Sequence, residues 1–119
     1  MKENVIKTKS LEFAIRVVRL NQVLTSEKKE FIMSKQVLRS GTSVGAMVRE
    51  AEHAESKPDF IHKLAIAQKE INETLYWLEL LFKTEYINQI EYNALNQDAS
   101  ELLKLLTSII KTSKSRINN

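Results

Sequence analysis

Glycine and proline, the residues that interrupt regular secondary structure most strongly, are scarce in this sequence. The 119 residues contain two glycines and one proline, too few for the many turns of a β-sandwich or barrel. Apolar residues make up 43% and charged residues 28%, as is typical of globular domains and not of disordered chains. The length is that of a single domain. The sequence therefore predicts one all-α domain over residues 1–119.

Apolar spacing divides the chain into four amphipathic segments. The strongest helix start lies at Ser56, Pro58 and Asp59, because Ser caps, Pro is tolerated in the first turn, and an acidic residue follows the cap by three positions. Asn88 and Glu91 repeat that spacing. The predicted helices cover residues 10–24, 27–54, 57–83 and 89–114. Short connections force neighbouring helices to be antiparallel, which predicts an up-down-up-down four-helix bundle.

Both glycines lie within the second predicted helix, where each costs about 1 kcal/mol relative to alanine. If the second and third helices fold back on each other around residue 56, Gly41 faces Ile71 and Gly45 faces Ala67. Small residues at these positions let two helix backbones approach closely, so we interpret the glycines as a packing device. The alternative is that a ligand or RNA approaches the bare backbone.

Charge is unevenly distributed along the chain. The net charge is +6 over residues 1–49, −7 over residues 50–101 and +4 over residues 102–119, and the whole chain carries +3. Segments of opposite charge neutralise one another within a bundle or between subunits. Alternatively, the basic segment presents a surface to an anionic partner such as nucleic acid.

The first two predicted helices contain a candidate nucleic-acid-binding surface. Its members are Arg16, Arg19, Lys28, Lys35, Arg39 and Arg49. Arg39 has a structural alternative, an ion pair with Glu70 or Glu73 of the third helix. An oligomer would repeat the surface in each subunit, and weak phosphate contacts would then add through multivalency.

The segment LRSGTSVGAMVREAEHAESKPDFIHKLAIAQKEINETLYWLELL, residues 38–81, resembles the signature of the bacterial four helix bundle protein family. Founding members of that family are encoded by intervening sequences in large-subunit ribosomal RNA genes. The resemblance implies a left-handed antiparallel bundle that assembles as a ring-shaped homopentamer. It also implies kinship with the pentameric accessory protein of diversity-generating retroelements, which engages a reverse transcriptase and nucleic acid through a basic surface. No catalytic residues carry over.

A second apolar line on the third helix predicts a surface for contact between subunits. It passes through Ile66, Glu73, Trp77 and Leu80, and Tyr76 and Trp77 are its aromatic anchors. Trp77 has a structural alternative, in which it covers the edge of its own core.

The sequence predicts no catalytic residue, cofactor or metal site. It contains no cysteine, which excludes disulfides and thiolate ligands. Glu50 with His53, and Asp59 with His62, match or nearly match the spacing of a di-metal bundle site. Both pairs flank the same connection between helices, however, and two further inward carboxylates are not apparent, so we interpret them as solvated side chains.

No signal peptide or membrane-spanning run is apparent, so we expect a cytoplasmic protein that does not enter membranes. Two functions remain at this stage. The first is a non-enzymatic oligomeric adaptor that binds nucleic acid or a ribonucleoprotein through repeated basic patches. The alternative is a protein-binding scaffold with no nucleic-acid role, in which the charge asymmetry serves only assembly.

Overall fold

The computed structural model describes the backbone of residues 2–118 and the side chains of residues 5–116. Residues 2–118 form four helices and no strand: α1 (Lys2–Ser26), α2 (Met33–Glu52), α3 (Lys57–Lys83) and α4 (Gln89–Asn118). The predicted all-α class is confirmed. Met1 and Asn119, which the predicted single domain includes, lie outside the described residues.

The four helices surround one apolar core. α1 and α3 each pack against both α2 and α4, and every helix contributes fully buried side chains, among them Phe13, Val44, Ile71 and Leu106. The molecule measures 51 × 22 × 20 Å. Its long dimension runs along the helices, because a helix of 30 residues extends about 45 Å.

The start of α1 differs from the sequence prediction. The helix begins at Lys2 and not at residue 10, and Ser10 is a buried residue in its interior. The Ser10 hydroxyl donates to the carbonyl of Lys7, 3.1 Å away. A serine that bonds back to its own helix resembles a cap in the sequence although it caps nothing. Ile6 is buried in the core, and this contact stabilises the additional turns at the start of α1.

The start of α2 also differs from the prediction. Residues 27–32 form a turn, and the helix runs over Met33–Glu52 instead of 27–54. Thr25 and Ser26 resemble caps in the sequence, but their hydroxyls donate to carbonyls of α1. The buried carboxylate of Glu30 caps α2 instead, accepting the backbone N–H groups of Ile32, Met33 and Ser34.

The starts of α3 and α4 coincide with the sequence prediction. The Ser56 hydroxyl accepts the Asp59 N–H at 3.2 Å. Asn88 and Glu91 form a reciprocal pair, in which each side chain accepts the other's backbone N–H at 2.8 and 3.1 Å. α4 runs to Asn118, four residues beyond its predicted end.

Gly41 and Gly45 face α1, so the predicted pairing with Ile71 and Ala67 of α3 is wrong. A Cβ atom on Gly41 would lie 2.8 Å from Val17 Cγ2, and one on Gly45 would lie 3.4 Å from the Ser10 carbonyl oxygen. Consecutive helix residues point about 100° apart. The α2 position that faces α3 is therefore the one before Gly41, and Gly41 itself faces α1. Close approach between helices remains the role of Gly41, whereas a Cβ atom on Gly45 would make only ordinary contacts.

Candidate nucleic-acid interface

Arg39 is held by two carboxylates of α3. Its guanidinium nitrogens lie 2.7 Å from Glu70 Oε2 and 2.7 Å from Glu73 Oε2. Two carboxylates at hydrogen-bond distance balance the charge that a phosphate would otherwise contact. Arg39 therefore serves the contact between α2 and α3, as the structural alternative in the sequence analysis expects.

Glu73 joins Arg39 to the aromatic residues of α3. The indole N–H of Trp77 donates to Glu73 Oε2 at 3.0 Å. This hydrogen bond, followed by the bond from Arg39, lowers the pKa of Glu73, because both donors favour the charged carboxylate. The same two carboxylates raise the pKa of Arg39, with Glu73 contributing first.

Arg16 is also engaged within the subunit, since its guanidinium forms an ion pair with Asp98 of α4. Two turns earlier in α1, the Lys9 Nζ atom lies 2.7 Å from Glu101 Oε1. These two pairs connect α1 to α4. They remove Arg16 from the set of cations that are free to meet an external anion.

The other four candidates, Arg19, Lys28, Lys35 and Arg49, form no ion pair within residues 5–116. Lys28 lies in the turn 27–32, which joins the end of α1 that carries Arg19 to the end of α2 that carries Lys35. Arg49 lies about 21 Å further along α2 than Lys35, at 1.5 Å per residue. The six residues therefore do not form one patch.

Lys29 belongs to the same end of the bundle, although the sequence analysis did not select it. Its backbone adopts the left-handed conformation, with φ 56°. The adjacent lysines in EKKEFI, residues 27–32, were the available signal, but assigning that segment to a helix concealed the turn. We call Arg19, Lys28, Lys29 and Lys35 the basic end of the bundle.

A model of the 23S rRNA-intervening sequence protein family matches residues 2–108. The chain belongs to this family. The chain is also similar to a protein of unknown function from the S23 ribosomal protein family of Bacteroides thetaiotaomicron VPI-5482, whose crystal structure is known at 1.70 Å resolution. The two are 63% identical with a TM-score of 0.92, over 93% of this chain and 99% of the other. No curated protein matches.

An apolar surface of this family member faces outward. On α1, Leu11, Ile15 and Val18 are all exposed and lie on one side of the helix, since they are spaced by four and three residues. Leu11 also borders an open groove of about 240 Å³ between α1 and α2, which contains Gly45 and Ala46. The sequence analysis does not assign these residues to an interface.

The predicted interface residues of α3 occupy different environments. Tyr76 is 56% exposed, whereas Ile66 and Leu80 are half-buried. Trp77 packs partly against its own core, and its ring meets that of Tyr76 edge-on at a centroid distance of 4.9 Å. The contact between Trp77 and its own subunit does not decide whether this surface also meets a second subunit, so the interface remains a prediction.

The carboxylates near the α2–α3 connection have structural partners. Glu50 lies 3.2 Å from Lys63 Nζ, and Asp59 accepts the backbone N–H of Glu55. Within the described residues, no three His, Asp or Glu side chains lie together as a metal site requires. Nor is any helix in that part of the chain long and apolar enough to cross a membrane.

Proposed function

We propose that this member of the 23S rRNA-intervening sequence protein family is a non-enzymatic, cytoplasmic homo-oligomer that binds nucleic acid or a ribonucleoprotein through basic surfaces repeated in each subunit. One observation carries the proposal. The four cations of the basic end form no ion pair with the described carboxylates. Cations without protein partners are available to replace the counterions of a phosphate backbone.

The proposed subunit is an antiparallel, up-down-up-down bundle, left-handed as the family resemblance implies. The order of the contacts between α1 and α2 supports the antiparallel arrangement. Lys7, early in α1, pairs with Glu52 at the end of α2. Asn21, late in α1, donates to the carbonyl of Ser34 at the start of α2. Two helices are antiparallel when the start of one contacts the end of the other.

The proposed assembly is a ring, with five subunits as the family resemblance implies. A cyclic ring requires two different complementary surfaces on each subunit. We assign these two roles to the exposed apolar strip of α1 (Leu11, Ile15 and Val18) and to the α3 surface that carries Tyr76.

A ring makes the modest charge of one subunit effective. Under cyclic symmetry, all copies of one residue lie on a circle in a single plane. The basic ends of all subunits would therefore form one rim, and a polymer bound along the rim would contact several of them. Each contact after the first is intramolecular, so weak phosphate contacts add to a useful affinity.

Size-exclusion chromatography with light scattering tests this proposal, with and without a mixed pool of RNA and DNA, at low and at moderate salt. We expect a mass of several chains that co-elutes with nucleic acid at low salt only. Lys28→Glu with Lys29→Glu should abolish co-elution, whereas Lys104→Glu with Lys111→Glu makes the same charge change elsewhere and should retain more of it. An oligomer that ignores nucleic acid at low salt would contradict the nucleic-acid role.

The alternative, a protein-binding scaffold without a nucleic-acid role, would use the exposed strip of α1 for another polypeptide instead of for a second subunit. If that strip binds another polypeptide, the contact is mainly apolar and depends little on salt. Salt-insensitive capture of a protein, by a form that does not bind nucleic acid, would support the scaffold over the adaptor.

A further inference from the structure

We infer that the α1–α2 turn is a binding site for single-stranded nucleic acid, in which the Phe31 ring stacks on an unpaired base while Lys28 and Lys29 contact the flanking phosphates. The inference rests on the proposed function. It specifies the form of nucleic acid that is bound and the element that binds it.

The first observation is the exposure of two large apolar side chains in this turn. Phe31 is 60% exposed and Ile32 is 76% exposed, although they are consecutive residues at the start of a core helix. Single exposed apolar residues are common on protein surfaces. An adjacent Phe–Ile pair beside two lysines is a more specific combination, because it presents a planar apolar ring next to positive charge.

The second observation is that the turn has a fixed backbone. Glu30 anchors it from within, since its Oε2 atom accepts the N–H groups of Ile32 and Met33 at 3.1 Å each, and its Oε1 atom accepts that of Ser34 at 2.7 Å. The Glu30 N–H donates to the carbonyl of Leu24 at 2.9 Å. Phe31 is thus displayed on an ordered backbone, and binding would not carry the entropic cost of ordering a loop.

The third observation concerns charge. The Glu30 carboxylate is buried and accepts the backbone N–H groups at the start of α2, so the exposed charged side chains of the turn are two lysines, Lys28 and Lys29, against one glutamate. Glu27 is the exposed carboxylate of the same turn. Lysine is a flexible point charge that contacts phosphates without reading sequence. The turn therefore suits a polyanion of any sequence.

An aromatic ring beside lysines favours single strands over duplexes. Bases of a single strand expose their faces and stack on aromatic side chains, while cations follow the backbone. In a duplex those faces are covered by neighbouring base pairs. An acidic peptide would pair with the lysines without stacking on a planar ring. Replacing the ring by a non-planar apolar side chain should therefore weaken the binding of a single strand but not that of an acidic peptide.

Fluorescence anisotropy with a labelled oligouridine of about 20 nucleotides, longer than a typical single-strand site, tests the inference against a duplex of equal length. Phe31→Leu keeps apolar bulk but loses the ring face, and we expect its affinity for the single strand to fall about 5- to 150-fold. Phe31→Tyr should bind like the unmodified protein. Lys28→Ala with Lys29→Ala should make the salt dependence shallower by about 1.4 in slope for each subunit that the strand contacts, because each phosphate contact contributes about 0.7.

The exposed position of Phe31 makes misfolding of these variants unexpected, and helical circular dichroism checks this. Equal binding by Phe31→Leu and the unmodified protein, or equal affinity for duplex and single strand, would overturn the inference and leave the proposed function intact. A lower oligomer mass for Phe31→Leu would overturn it too, by assigning Phe31 to a subunit contact. An unmodified protein that binds neither polymer at low salt would refute both.

Discussion

The two glycines of α2 lie one turn apart, but the space around them differs. A Cβ atom on Gly41 would lie 2.8 and 2.9 Å from the two methyl groups of Val17, a fully buried residue whose branched side chain has little rotamer freedom. A Cβ atom on Gly45 would have no contact shorter than 3.4 Å. Packing therefore requires glycine at position 41, whereas the surroundings of position 45 leave room for a Cβ atom.

Alanine at these positions should have opposite effects on stability. Alanine favours a helix over glycine by about 1 kcal/mol, so Gly45→Ala should raise the free energy of unfolding by up to that amount. For Gly41→Ala, overpacking costs about 1–3 kcal/mol, which should leave a net loss of up to about 2 kcal/mol. Urea denaturation followed by circular dichroism measures both. A Gly41→Ala variant as stable as Gly45→Ala would contradict the close contact with Val17.

Glu73 makes stability depend on pH. Because Trp77 and then Arg39 lower its pKa, its contribution to stability is present above the unfolded value of about 4.3 and is lost as pH falls through the lower folded value. The stability difference between the unmodified protein and Glu73→Gln should therefore shrink below about pH 4. We expect this stability difference to be less than about 1 kcal/mol, since the side chains of Glu73 and its partners are partly exposed.

Urea titrations at several pH values measure this difference. Glu79→Gln is the matched control, because Glu79 is an exposed residue of the same helix without an ion pair in the described part of the chain. If Glu73→Gln and Glu79→Gln have the same effect at every pH, the network around Glu73 does not contribute to stability.

One ion pair between α2 and α3 was predictable because the α2–α3 connection is short and clearly marked. Folding the chain back around residue 56 places Arg39 opposite Glu73, and that pair forms. The same register does not tell which neighbour Gly41 faces. A shift of one residue turns a helix face by about 100°, more than an estimate of register from sequence can resolve.

At the scale of elements, the chemistry of the cap residue decides which helix starts were predictable from the sequence. Ser56 and Asn88 are usual cap residues at the usual spacing, so the starts of α3 and α4 were predictable. α2 is capped by a glutamate three residues before its first residue. Glu is not among the preferred caps, and its role depends on a turn conformation that apolar spacing does not reveal.

Glu30→Ala tests the cap of α2. The substitution leaves three backbone N–H groups without their acceptor, and we expect the free energy of unfolding to fall by about 1–3 kcal/mol. Glu30→Gln retains one acceptor oxygen and should have a smaller effect. Thermal or urea denaturation provides the measurement, with Glu27→Ala as a nearby exposed control. Equal stability of Glu30→Ala and Glu27→Ala would rule out capping by Glu30.

At the scale of the whole molecule, the scarcity of turn residues and the apolar periodicity were sufficient for an all-α fold. Charge segregation pointed to the first half of the chain but could not separate engaged from free cations. Arg16 meets a partner 82 positions away in the sequence, and distant pairing of this kind depends on the packed arrangement. The basic end was not predicted because the sequence analysis assigned residues 27–32 to a helix, whereas in the structure they form a turn.

The proposed ring depends on α1 as a contact surface, and one charge placed there tests it. Ile15 is 44% exposed within the subunit, so Ile15→Glu should leave the bundle folded. In an apolar interface its carboxylate would be buried without a partner, which is costly, and the mass measured by light scattering should fall toward one chain. Gln97→Glu adds the same charge to the exposed side of α4 and should leave the mass unchanged. If Ile15→Glu retains the oligomer, the apolar strip of α1 is not the subunit interface, and its exposure would then favour a different protein partner.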